Sequence, residues 1–144
     1  MSLSLPRQPT EGAALRLGFV VALDLQRCRV RVRFPDLDGL ESHWLPVLQA
    51  KTHRDQYHHL PDLGEHVACL LDARLEDGVV LGALYSARDA ARVQGPDQTE
   101  LRFADGTRIR YDRTRAHLEV DCVGDVTIRA AGRLRLQGAR IDLN

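Results

Sequence analysis

The segment Arg27-Cys28-Arg29-Val30-Arg31-Val32-Arg33-Phe34 alternates four guanidinium groups with four apolar side chains. Successive side chains of a β-strand point to opposite faces, so this spacing puts Cys28, Val30, Val32 and Phe34 on one face and the arginines on the other. An α-helix would scatter both sets around its axis. The segment therefore reads as a half-buried strand. The rest of the chain follows the same period of two, and none of its longer windows sustains a period of 3.6 residues.

On the N-terminal side, residues 18–24 (Gly-Phe-Val-Val-Ala-Leu-Asp) are a buried-strand run, with a turn at Gln26-Arg27. On the C-terminal side, Pro35-Asp36-Leu37-Asp38-Gly39 supplies the fixed φ and the glycine of a turn. A third strand is expected over 42–48, with Trp44 as its large apolar group and Pro46 marking an edge or bulge. Residues 49–64 read as a long polar loop, a fourth strand as 65–71, and a fifth as 78–85 after the acidic turn Glu76-Asp77. Five antiparallel strands in about 75 residues risk aggregation through open edges, and closing them into an OB-like barrel removes that risk.

Beyond a charged connector ending in Gly95-Pro96, the pattern changes to very short strands separated by glycine. Leu118, Val120 and Cys122 lead to Gly124, Val126 and Ile128 to Gly132, Leu134 and Leu136 to Gly138, and Ile141 and Leu143 follow, a repeat close to eight residues. The alternate positions are mainly charged, among them Glu119, Asp121, Arg129, Arg133 and Arg135. Such a meander is a single layer whose apolar face has no cover and is marginal alone in water. The simplest cover is the same ribbon from other copies of the chain, so the alternation implies a homo-oligomer. The expected division is an arm at 1–14, a barrel at 15–86, a linker at 87–98 and the ribbon at 99–144.

The 144 residues are 44% hydrophobic and 28% charged, a globular composition rather than a disordered one. Twenty basic residues balance twenty acidic ones, so no global field favours nucleic acid or an anionic membrane surface. Cys28, Cys69 and Cys122 are an odd number at wide spacing, which reads as small buried hydrophobes in a reducing compartment. Residues 1–10 hold no apolar run of signal-peptide length, so synthesis and initial residence in the cytosol are expected.

Candidate sites are few. The arginine stripe fits a nucleic-acid backbone, but base stacking also needs exposed aromatics, and the chain has three Phe, one Trp and three Tyr, several at core positions. Pairing with nearby carboxylates such as Asp24, Asp36 and Asp38 explains the stripe more simply, and no nucleic-acid partner is expected. His53, His58, His59 and His66 with Asp55 and Asp62 hold metal-ligating atoms without the framing of a metal site, so no metal is expected. Glu76-Asp77 reads as a solvated hairpin tip, and Gly124, Gly132 and Gly138 as corners of the repeat. No nucleophile elbow, phosphate loop or framed cysteine is present, so no catalytic residue and no cofactor is expected.

Taken in order, these segments resemble the phage baseplate assembly protein V (gpV) family, the spikes of contractile tails and related bacteriocins. More distantly they are similar to the needle-bearing part of VgrG proteins. The match is carried by 18–24, the arginine strand ending Phe34-Pro35-Asp36, Ser42-His43-Trp44-Leu45-Pro46, and Leu60-Pro61-Asp62-Leu63-Gly64-Glu65-His66-Val67. Residues 78–86, Asp105-Gly106-Thr107 and Tyr111-Asp112 complete it. The resemblance implies an all-β homotrimer in which OB domains form a collar and the ribbons wind into a β-helical needle, driven mechanically into a target envelope. The trimer core would then be Leu118, Val120, Cys122, Val126, Ile128, Leu134, Leu136, Ile141 and Leu143. Partners implied are baseplate and tail hub proteins, the end of the tail tube and the target cell envelope, with the particle's baseplate centre as location. Many family members end in a His-x-His apex that binds iron, whereas this chain ends Arg140-Ile141-Asp142-Leu143-Asn144. No metal is carried over, and a PAAR-like tip protein or further chain is expected at the blunt end. An oligonucleotide-binding OB protein and a VgrG-like effector carrier are the alternatives.

Overall fold

A computed structural model describes residues 12–92 and 95–144; most of the expected N-terminal arm lies outside the described residues. The chain forms two compact units, Met1–Ala91 and Arg92–Asn144, each with its own sheet. Among the described residues every regular element is a β-strand except a single 3-10 turn at Pro35–Leu37, so the all-β expectation holds.

In the first unit, β1 (Ala14–Asp24) is the central strand. Its first half pairs with β5 (His66–Leu71) and its second half with β2 (Arg29–Phe34), both antiparallel. β5 continues to β6 (Gly78–Ala83), and β2 to the short β3 (Leu40–Glu41) and β4 (Leu45–Pro46). The ring closes where Val47, just past β4, bridges Val80 of β6 in parallel, with the Leu48 amide donating to the Val80 carbonyl at 3.1 Å. The expectation of an all-antiparallel set fails at this seam for a topological reason. With β3 and β4 counted as one staggered strand, the ring has five members, and an odd number cannot alternate direction all the way round.

The alternation in β2 is realised directly. Val30, Val32 and Phe34 are fully buried, together with Leu45, Val67, Cys69 and Val80, and Val20 and Leu71 are nearly so. Each large apolar side chain placed there contributes on the order of 1.5–3 kcal/mol. Cys28, expected inward, instead sits half-buried in the β1–β2 turn at a φ of 54°.

The third strand departs from expectation. Ser42 is buried, its amide donates to the Val32 carbonyl at 2.8 Å, and its hydroxyl accepts from the Val32 amide at 2.9 Å while donating to the His43 carbonyl at 2.7 Å. A side-chain oxygen thus replaces a ladder carbonyl and splits the strand in two. The side-chain phase shifts by one residue, so Leu45 is the core residue and Trp44 is 39% exposed.

β1 serves two sheet neighbours by bending, with a register shift between Val20 and Ala22. Gly18 sits at that crossing. A Cβ there would lie 2.5 Å from the Arg33 carbonyl oxygen, 2.6 Å from Val32 Cγ1 and 2.9 Å from Phe34 Cδ1. Backbone and core both occupy the space, so neither can yield cheaply.

The second unit is a meander of β7 (Gln98–Arg102), β8 (Arg108–Asp112) and β9 (His117–Asp121). Gly106, with φ 96°, turns the first hairpin, where Asp105 Oδ1 accepts from the Thr107 amide. Asp112 Oδ1 accepts the Thr114 and Arg115 amides in the second hairpin. Beyond Asp121 no strand is formed within the chain. Bends fall at 123–124, 131–132 and 139, which keeps the eight-residue spacing of the sequence repeat. Gly124, Gly132 and Gly138 are not among the positive-φ glycines, so the corners do not depend on left-handed backbone.

Gly18→Ala is expected to lower barrel stability by about 1–3 kcal/mol through overpacking. Gly82→Ala, whose Cβ would meet nothing within 4 Å, should shift it by less than about 0.5 kcal/mol. Denaturant midpoints of the two variants against the parent chain check this.

Candidate functional site

Strand register sorts the second unit into two chemically opposite faces. On one face Leu101 pairs with Ile109 and Ile109 with Val120, while Thr99 pairs with Tyr111 and Tyr111 with Leu118. These are rows of apolar and aromatic side chains running straight across three strands, the arrangement in which cross-strand pairs stabilise a sheet. None is buried, and Leu118 and Val120 stay more than 60% exposed.

The other face is a charge ladder. Glu100 pairs with Arg110 and Arg110 with Glu119; Arg102 pairs with Arg108 and Arg108 with Asp121. Glu100 accepts from Arg102 and Arg110 at 2.7 Å each, and its own side chain is only 3% exposed beneath them. Arg108 reaches Glu119 at 3.3 Å and Asp121 at 3.7 Å. Hydrogen bonds from Arg102 and Arg110, outweighing partial desolvation, hold the Glu100 carboxyl below its ordinary 4.5.

Of the nine residues expected to form a shared core, the structure places Leu118 and Val120 on this apolar face. Cys122 follows half-buried, its Sγ 3.5 Å from the Asp125 carbonyl. Val126, Ile128, Leu134, Leu136, Ile141 and Leu143 lie in the strandless segment and are all exposed, Leu143 to 87%. Among the described residues, no backbone-to-backbone hydrogen bond involves the segment from 122 to 144. Sequence reading missed the companions Leu101, Phe103, Ile109 and Tyr111, half-exposed residues of β7, β8 and the turn between them. Their alternation with Glu100, Arg102, Arg108 and Arg110 was the available signal.

The first unit answers the other candidates. Arg29 meets Asp24 at 3.1 Å, Arg27 lies 3.9 Å from the same carboxylate, and Arg31 meets Glu41 at 3.5 Å and the Ser42 carbonyl at 3.0 Å. The hydrogen bond from Arg29 is the main cause holding Asp24 below its ordinary 3.8. Three of the four arginines, Arg27, Arg29 and Arg31, are therefore engaged by their own chain, though by Asp24 and Glu41 rather than Asp36 and Asp38; Asp38 is taken up in closing the 3-10 turn at a φ of 54°.

The histidines are dispersed. Gln49 clasps His59 through both backbone groups, donating to its carbonyl at 2.7 Å and accepting its amide at 2.8 Å. His66 stacks on Phe19 with ring centroids 5.0 Å apart, and His53 and His58 are exposed. Among the described residues no three His, Cys, Asp or Glu side chains come together as a metal site. Cys69 is buried, and desolvation pushes its thiol up to about 11. Glu76 and Asp77 belong to a turn in which Asp72 Oδ1 accepts the Glu76 amide and the Asp77 carbonyl accepts the Asp72 amide.

With the closed ring, its parallel seam and the arginine strand in place, comparison with protein families decides what the first unit is. Residues 16–85 match the family model of the Type VI secretion system/phage-baseplate injector OB domain. This match identifies the first unit as an injector OB domain of the Type VI secretion system/phage-baseplate kind. The injector OB domain spans β1 to β6, and residues of the second unit lie outside the match. Among curated proteins, no significant match was found. A component of a phage tail particle or of the related secretion machine follows from the injector domain. Among the described residues, no helix is long and apolar enough to cross a membrane.

A group whose folded pKa is depressed stabilises the fold above its unfolded value and stops doing so as pH falls through the folded one. The second unit should therefore keep the Glu100 contribution above about pH 4.5 and lose it on further acidification. Thermal denaturation across that range should show a smaller acid-dependent loss for Glu100→Gln, together with a lower plateau near neutrality.

Proposed function

We propose that the chain is the central spike of a contractile injection machine, a homotrimer in which three second units wind into a β-helical needle beneath a collar of OB domains. Its action is mechanical, with no catalytic residue and no cofactor. One observation carries this reading. The segment from 122 to 144 alternates apolar and polar groups and bends every eight residues, yet among the described residues its backbone has no backbone partner within the chain. Backbone amides and carbonyls removed from water need partners, and a ribbon with an uncovered apolar side finds both in identical ribbons.

The same geometry accounts for the charge ladder. Ion pairs made within one chain leave the outer side of the shaft solvated and unreceptive to edge pairing with foreign strands. Gly124 and Gly132 have open space around them where a Cβ would stand, which permits close approach of a neighbouring backbone at the corners. In the particle, the OB collar would sit on hub proteins at the end of the tail tube, and the needle would face the target envelope. A second reading, the needle-bearing part of a VgrG-like effector carrier, draws on the same domain, because the family model covers secretion systems as well as phage baseplates.

Solution mass tests the proposal: a particle of about 48 kDa, three copies of a 16.1 kDa chain, is expected. Ile128→Asp would gather three carboxylates in the shared core and should abolish the trimer, whereas Arg129→Asp, one residue on and facing outward, should leave it intact. A heat-stable Ile128→Asp trimer, or a monomeric parent chain, defeats the reading.

A further inference from the structure

The barrel carries an unused strand edge. β1 is paired with β5 along Ala14 to Phe19, but on its other side β2 reaches only as far as Phe19, opposite Arg33. Past Phe34 the chain turns away through Pro35, which has no amide to donate. The Val20 amide donates to Glu65 and the Val20 carbonyl accepts from Gly64, so the even residues of β1 direct their backbone groups toward β5. By the alternation of an antiparallel ladder, the amides and carbonyls of Leu15 and Leu17 point the opposite way, along the open edge. Among the described residues nothing pairs with them there.

A groove of about 350 Å³ runs along this edge between β1 and the wall formed by Pro35 and Asp36. Leu15, Arg16 and Leu17 all line it, and consecutive residues of a strand can share a cleft only along the strand's edge, since their side chains leave on opposite faces. Leu15 is 59% and Leu17 43% exposed. Arg16 Nε and His66 Nδ1, both in groove-lining residues, are buried without a hydrogen-bond partner. An edge of free backbone groups calls for an extended peptide, the flanking leucines for apolar side chains, and the Arg16 guanidinium, whose Nε lacks a partner, for a carboxylate.

We propose that this edge accepts an extended segment of a partner protein as an added strand, alternating apolar residues packed on Leu15, Leu17 and Phe19, with an acidic residue on the opposite face set against Arg16. The proposal rests on the barrel alone and is independent of the spike reading. Short edge strands with unpaired groups are ready templates for such addition, with affinity from the backbone and selectivity from the alternate side chains.

The test is a displayed library of random peptides, selected on the full chain and counter-selected on the Leu17→Arg variant. The surviving peptides should alternate apolar residues around an Asp or Glu and lose that acidic preference on Arg16→Leu. Added as synthetic peptides, they should slow hydrogen exchange at the Leu15 and Leu17 amides by about tenfold or more. N-methylation of the peptide at its pairing positions keeps the side chains, so its abolition of binding separates strand addition from generic stickiness even if Leu17→Arg folds poorly. The proposal is overturned by absence of enrichment, by N-methylated peptides that bind equally well, or by Leu15 and Leu17 amides already protected in the chain alone. The last result would mean that the chain's own residues or a second copy fill the groove.

Discussion

Every backbone amide and carbonyl taken out of water must find a partner, and the two halves of this chain meet that demand in different ways. The barrel meets it internally by closing a ring, which it achieves by bending β1 around Gly18 and joining β4 to β6. The second unit meets it by strand pairing from Gln98 to Asp121; beyond, among the described residues, the backbone makes no backbone-to-backbone hydrogen bond and the apolar side chains stay exposed.

Charge on the sheets is handled largely by local pairs. Several of the strand arginines sit in short-range pairs, Arg29 with Asp24 and Arg31 with Glu41 on the barrel, Arg102 and Arg110 with Glu100 on the meander. Exposed pairs of this sort contribute little each. Their larger effect is on what the surface does not do: an arginine already held by a neighbouring carboxylate is a weaker attractor for a polyanion than the bare sequence stripe implies.

The elements legible in the sequence were those with one wet and one dry face, because only there does burial write a period of two. β2 is the clearest case, and the apolar positions of β9 follow the same logic. Apart from the Leu101 and Ile109 row, whose alternation was there to read, what escaped had no periodic signature. The Ser42 hydroxyl that stands in for a ladder carbonyl shifts the phase between Ser42 and Leu45, and nothing in the alternation announces it. The parallel seam is a property of the ring rather than of any segment. The carboxylates that hold the arginines, Asp24 and Glu41, are brought near by strand register, whereas Asp38, nearer in sequence to Arg33 than Asp24 is, is committed to a turn. The open edge of β1 became visible only from knowing where β2 stops.

The seam also sets how the barrel breathes. Elsewhere around the ring, neighbours are joined by ladders of several residues, but β4 meets β6 through the Val47 and Val80 bridge and the Leu48 amide. Local opening proceeds where the fewest contacts must be given up, so fluctuations of the native barrel concentrate at this joint. The Leu48 amide, the one backbone donor named across this joint, should then exchange ahead of the amides in the longer ladders. Opening at this joint would free the 48–65 loop while β1 keeps its pairing with β2 and β5.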